Sequence, residues 1–430
     1  MDVLILWDDS KSVASTVISH VESIKNYSVN RVYLFDMFGD IPESLDLNRF
    51  DAVVVHYSLV LCSKKYVSLN LLDKLRCYSG VKCVFIQDEY RHVNKTIEAM
   101  LYIGVDIIFT CVPESEINKV YPDHIFPDVL KVNVLTGYVD SSLLDYRVPQ
   151  YSDRLIDIGY RARKPPAYLG ELGQEKWRIG RIVADDAKKM NLKVDLAYRE
   201  EERLYGDAWL KFVSNCKAVL GVESGASVFD FTGDVVANVT AALKNNPNLK
   251  FAELQQRFFS KLEGAIKLNQ ISPRCFEAAA LKTLMILYEG EYSGRLKPWR
   301  HYLPLKKDHS NFSEIVSYLK DEKKALEIIN NAYAEVALNP DNSFKAMVNI
   351  FDNAIEQKFL VSSKLLHLSY TDDEFYKVQR VAHKVNFKSK CKRKIILFTY
   401  VFIFKYLMFF FSERKRDNVH KWLVKNIRFF

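Results

Sequence analysis

The chain has 430 residues, 49% of them hydrophobic and 27% charged, with a formal net charge of +8, which is enough for about three units of ~100–200 residues with real cores. Residues 388–430 hold twelve Lys or Arg against Glu413 and Asp417, a balance of +10 that leaves −2 for the rest, and a globular part so near neutrality does not look like a nucleic-acid binder, whose basic residues should line the fold itself. Seven scattered cysteines with no C-x-x-C pair exclude a disulfide framework and read as reduced.

The opening MDVLILWDDS is acidic and strand-like, which sets the expectation of a cytoplasmic chain without a secretory signal. Apolar β-rich runs at 2–7, 31–37, 52–58, 81–87 and 106–112 alternate with helical patterns, the rhythm of a parallel sheet wound with helices. Several runs end in polar groups: Asp8 and Asp9, His56 and Tyr57, then Asp88, Glu89 and Tyr90. A parallel sheet gathers such ends on one edge. A second α/β pattern begins near Leu155, continues through 192–198, 216–223, 283–289 and 301–306, and closes with helices near residue 340. Residues 229–268 interrupt it with a polar, mostly helical insertion whose FAELQQRFFSKLEGAIKL has amphipathic spacing, expected as a lid or cover. Walker A, G-x-G-x-x-G, H-E-x-x-H and D-x-D patterns are absent.

The stretch 270–311 is the most informative. Ser272 suits an N-cap and Pro273 the first helical position, so a helix starts here. Its N-terminal N–H groups attract phosphate, and Glu277, one turn in, is able to accept from two neighbouring hydroxyls such as those of a ribose. A buried strand follows at 283–288, with Glu289, Gly290 and Glu291 at its C-terminal end.

With IDIGYRARKPPAYLGELGQEKWRIG (156–180), CKAVLGVESGASVFDF (216–231), FIQDEYR (85–91), IFTCVP (108–113) and LTGYV (135–139), this block resembles bacterial GT-B glycosyltransferases of the group-1-like type found with capsule and O-antigen synthesis. The resemblance spans roughly residues 1–340. It implies an α/β GT-B fold: an acceptor-side Rossmann-like domain (1–150) and a nucleotide-sugar domain (151–345) facing a cleft, the insertion at about 229–268 within the second. A helical return segment (346–387) and a basic, hydrophobic C-terminal helical extension (388–430) complete the expectation.

The resemblance further implies transfer of a sugar from a nucleotide diphosphate to a hydroxyl, with no metal or cofactor; it leans towards retention at the anomeric centre, and inversion stays open. A leaving diphosphate needs positive charge, and Arg161, Arg163 and Lys176 are the candidates, Arg161 and Lys176 first. Related enzymes carry two glutamates eight positions apart. Glu277 matches the second, but Asn269 stands where the first belongs. Glu223 is the candidate replacement, with Ser224 and Gly225 offering donors to phosphate or sugar. Asp88 and His56, with Glu89, are candidates to orient the acceptor or take its proton.

The tail reads KSKCKRK, then an apolar run at 395–411 broken by Lys405, then SERKR. Seventeen helical residues reach about 25 Å, short of a ~30 Å hydrocarbon core, so a peripheral contact with an anionic membrane surface is expected in place of a span. The composite expectation is an enzyme at the inner face of the cell membrane that glycosylates a glycan or lipid-linked acceptor in surface polysaccharide synthesis, with no nucleic-acid partner. A GT-B nucleotide-sugar epimerase and a catalytically silent GT-B scaffold at the membrane remain as alternatives.

Overall fold

The two series of apolar runs fold as two all-parallel sheets in a computed structural model that describes residues 1–9, 15–199, 202–361 and 368–382. The first sheet contains β1 (Asp2–Trp7), β2 (Arg31–Asp36), β3 (Ala52–Val55), β4 (Val81–Ile86), β5 (Ile107–Thr110) and β6 (Leu130–Asn133), ordered β2-β1-β3-β4-β5-β6. Its register puts Val3 opposite both Val32 and Ala52. All four residues of β3 and of β5 are buried, as strands covered on both faces must be. The edge strand β6 has no place in the apolar pattern because its LKVN is only partly buried throughout.

The second sheet contains β7 (Ile156–Arg161), β8 (Val194–Ala197), β9 (Cys216–Gly221), β10 (Leu284–Tyr288) and β11 (Leu303–Leu305), ordered β11-β10-β9-β7-β8. Strand order reverses between β7 and β9, and ligands of open α/β sheets bind outside the carboxyl ends of strands at such a switch point. The helices Gly170–Lys189 and Gly206–Ser214 lead from β7 to β8 and from β8 to β9, and Pro273–Ala280 leads into β10.

The chain then returns to the first sheet. In the helix Phe344–Val361, the Asp352 carboxylate accepts from Ser28 Oγ (2.6 Å), Val29 N (3.0 Å) and Asn30 Nδ2 (2.9 Å). Tyr370 and Phe375 are buried against Tyr33 and Phe50. The expected tail at 388–430 lies outside the described residues, as do 362–367 and 383–387 of the return segment. Among the described residues no helix is long and apolar enough to cross a membrane.

The insertion is more than a cover. Its ends, Phe229, Ile266 and Leu268, are 4%, 7% and 1% exposed and sit in the core of the first domain. Its middle makes a small core of its own, Val235, Val239, Leu254 and Phe259, against Ala167 and Tyr168 of the second domain. Burying each of the three end residues contributes about 1.5–3 kcal/mol, so the insertion ties the two domains together.

Candidate active site

The switch point opens into a cavity of about 370 Å³ between the domains, lined by Tyr160 and Arg161 of β7, Gly221 of β9, Ser272 and Arg274 at the start of Pro273–Ala280, and Asp88 from the other domain. A smaller cavity of about 150 Å³ adjoins it, and the two share Asp88, Tyr90, Lys176 and Ser224. The smaller one draws together the sequence blocks that lie far apart in the chain: Gln87 from FIQDEYR, Cys111 from IFTCVP, Thr136 from LTGYV, and Gln270 and Pro273. Among the described residues lining either cavity, Asp88 is the sole carboxylate.

Three cations converge here. Lys176, one and a half turns into Gly170–Lys189, sends Nζ towards Gly225 O at 3.4 Å. Burial pulls its ammonium down to about 8; Asp88 across the cleft acts the other way, and Arg274 and Arg163 add to the depression. Those mutual influences put Lys176, Arg163 and Arg274 in one electrostatic neighbourhood, opposite Asp88. Arg163 is exposed and lines the larger cavity. Arg274 lies over the Trp209 ring, 4.9 Å from its centroid, and donates to Arg161 O.

Helix ends decide where an anion fits. The N-terminus of Gly170–Lys189 is closed by the protein: Glu171 N donates to Glu263 Oε1 (3.0 Å) and Leu172 N to Ser227 Oγ (3.1 Å). At Pro273–Ala280, Ser272 has the extended N-cap backbone expected of it, its hydroxyl makes no capping bond, and the residue lines the larger cavity. Ser224 exchanges backbone bonds with Gln270 (2.7 and 3.0 Å). Gly225 has φ +106°, and a Cβ there would lie 1.7 Å from Leu268 O, so only glycine fits this approach.

Glu277 is half-buried beside the larger cavity, not in its lining. Trp209 Nε1 donates to its Oε2 at 2.8 Å, and burial pushes the carboxyl above its ordinary range against the opposing effects of Trp209 and Arg274.

Four candidates are already engaged by the protein itself. Arg161 lines the cavity, but its guanidinium is turned onto Asp195 (Nη2 to Oδ2 2.8 Å) and over the Phe212 ring at 4.0 Å, so its charge is already matched. Glu223 is buried and absent from both linings: it accepts from Glu291 N (3.0 Å), Tyr292 N (2.8 Å) and Asn269 Nδ2 (2.6 Å), which makes it the brace of the loop after β10. His56 is fully buried, bonded through Nδ1 to Ser58 Oγ (3.0 Å) and through Nε2 to His20 Nδ1 (3.1 Å). Burial holds both imidazoles well below their ordinary range, His20 at about 3. Glu89 is likewise internal, accepting from Thr110, Cys111 N and Tyr121.

Sequence reasoning missed Arg274, Gln87 and Thr136, although each lies inside a quoted block; SPR at the helix start was the available signal for Arg274. Away from the cavities, carboxylate oxygens of Asp8, Asp9 and Asp36 lie within 4.8 Å of one another, a spacing that suits a cation.

Two doubly wound parallel sheets facing a ligand-sized cleft define the GT-B architecture. Among solved structures, the chain is similar to an alpha-glucosyltransferase in complex with UDP-glucose and DNA containing an abasic site, at 10% identity over 85% of this chain and 100% of that one, TM-score 0.49. It is also similar to Anabaena HepE in complex with UDP (9% identity, 84% and 100%, TM-score 0.47). A third is sucrose-phosphate synthase from Thermosynechococcus elongatus (11%, 84% and 100%, TM-score 0.46). No family model matches the chain, and no curated protein matches it.

Proposed function

We propose that the chain is a glycosyltransferase that moves a sugar from a nucleotide-diphosphate donor to a hydroxyl. The observation that carries this is the grouping of Lys176, Arg163 and Arg274 with the uncapped Ser272 hydroxyl around one interdomain cavity. Fixed cations and hydroxyl donors aimed at a leaving diphosphate stabilise the charge that grows as the glycosidic bond breaks. Asp88, facing them from the other domain, is the group to orient the acceptor hydroxyl and receive its proton. Glu277, at the cavity's edge, has one oxygen held by Trp209, and its other oxygen is assigned to the ribose.

The fuller reading is retention without a metal, a glycan or lipid-linked acceptor, and work at the inner face of the cell membrane through 388–430, in surface polysaccharide synthesis. The basic flanks and apolar centre of that segment support the membrane part. Thermal-shift screening of nucleotide sugars tests the donor site, since a ligand at 100 times its dissociation constant stabilises by about 2.7 kcal/mol. The cognate donor should raise the midpoint in the native chain and not in Lys176→Ala; absence of any shift across the common nucleotide sugars would count against the reading.

A further inference from the structure

The loop that carries Asp88 into the cleft is held by the insertion of the opposite domain. Asp230 N donates to Tyr90 O (2.9 Å), Val93 N to Asp230 O (3.4 Å) and Asn94 N to Phe231 O (3.0 Å), around a parallel bridge between Arg91 and Asp230. The turn presenting these groups is itself braced. Asp230, 2% exposed, accepts from Gly233 N (2.8 Å) and Val236 N (2.9 Å) through its two carboxylate oxygens. Gly233, at φ +92°, lies under the His92 ring, where a Cβ would come 2.3 Å from Nδ1, and His92 itself has φ 53°. Left-handed backbone at a histidine is maintained only where surroundings enforce it. On either side of the turn, Phe229 and Leu268 are sunk in the first domain's core.

We infer that residues 229–233 are a clasp that positions Asp88 and Tyr90: the acceptor-side wall of the cleft is set by a segment of the donor-side domain, so the geometry for transfer exists only while the clasp is engaged. This rests on the glycosyl-transfer reading for what Asp88 does, and on the hydrogen bonds alone for what holds it. Asp230 and Gly233 are positioning residues, since neither lines either of the two cleft cavities. Other segments hold the domains together as well, including the bond from Thr136 Oγ1 to Ile271 O. The clasp is distinguished by acting on the loop that bears the cleft's carboxylate.

The test uses the full chain with Gly233→Ala, whose methyl strikes the His92 ring, and the double variant Gly233→Ala with His92→Ala, which removes that ring. Hydrogen exchange at Val93 and Asn94 should accelerate in the single variant. Its turnover should fall about 10- to 100-fold, as for a misplaced reacting group, while its donor KM stays within about twofold. The double variant removes the clash but keeps alanine at φ +92°, so it should recover part of both exchange protection and turnover. Faster exchange with unchanged turnover, or a donor KM that rises as far as turnover falls, would each overturn the inference. If Gly233→Ala does not fold, Asp230→Asn, which removes one acceptor at constant shape, is read by the same criteria. A native chain that turns over no nucleotide sugar defeats the transfer reading instead; the clasp is then judged by exchange alone, and unchanged protection in Gly233→Ala overturns it.

Discussion

Asn269 Nδ2 donates to Glu223 Oε2 at 2.6 Å. The residue standing in for the first acid of the glutamate pair is thus bonded to the residue that sequence offered as its replacement, and both serve the loop after β10. Glu223→Ala would strand the N–H groups of Glu291 and Tyr292 and the amide of Asn269. Leaving buried donors unmet costs ~1–3 kcal/mol each, so a loss of about 3 kcal/mol is expected, read as a lower denaturation midpoint. Native stability in this variant would show that the brace is dispensable.

Lys176 should give the donor site a pH dependence. A lysine depressed to about 8 carries its charge below that pH and loses it above, so nucleoside-diphosphate affinity should fall as pH rises through 8. Lys176→Arg keeps its charge throughout and should flatten the profile. Calorimetric titration at pH 7 and pH 9 on both proteins is sufficient, and parallel pH profiles would remove Lys176 from the phosphate site.

Arg274 and Arg161 should separate. Arg274→Ala is expected to weaken diphosphate binding by about 1.5–3 kcal/mol, the range for hydrogen bonds to charged groups. Arg161→Ala breaks the pair with Asp195 and the stack on Phe212, so it should act first on stability. Equal losses of affinity in both would restore Arg161 to the site.

Glu89 should make stability fall with rising pH. Burial raises its carboxyl to about 7 from 4.5. The folded state therefore holds a proton that the unfolded chain releases from pH 4.5 upward, and stability is lost between pH 4.5 and 7. The loss is about 3 kcal/mol at most. Glu89→Gln should flatten thermal midpoints measured across that window.

Much of this was legible in the sequence. Alternating apolar runs located ten of the eleven strands among the described residues, because strands buried on both faces need continuous Val, Ile and Leu; β6, an edge strand with partly buried residues, carried no such signal. The quoted blocks converge on the cleft because strand ends share an edge of the sheet. Which side chain faces the cleft was not legible. His56 follows β3 as Asp88 follows β4, yet one ring turns inward onto His20 and the other group faces Lys176. Arg161 is half-buried and paired with a carboxylate, Asp195, whereas Arg274 is exposed and donates to a backbone carbonyl. The insertion's bridging role was hinted at by apolar residues at both its ends, Phe229 and Phe231, Ile266 and Leu268, but contact order of that kind is not written in local periodicity.

For the segment 388–430, deletion should abolish flotation with anionic liposomes while donor hydrolysis persists, and added salt should weaken flotation of the full chain, since each basic residue near the surface contributes on the order of 1 kcal/mol of screened attraction. Equal flotation of both chains would place any membrane contact elsewhere.

The most direct measurement follows nucleoside-diphosphate release from a panel of nucleotide sugars by the full-length chain, beside Lys176→Ala and Arg274→Ala. Glycosyl transfer requires slow release from one donor in water, acceleration by an acceptor hydroxyl, and loss in both variants because the leaving charge is no longer met. Isomerisation of the donor without release, or release that both variants sustain at the native rate, would contradict it.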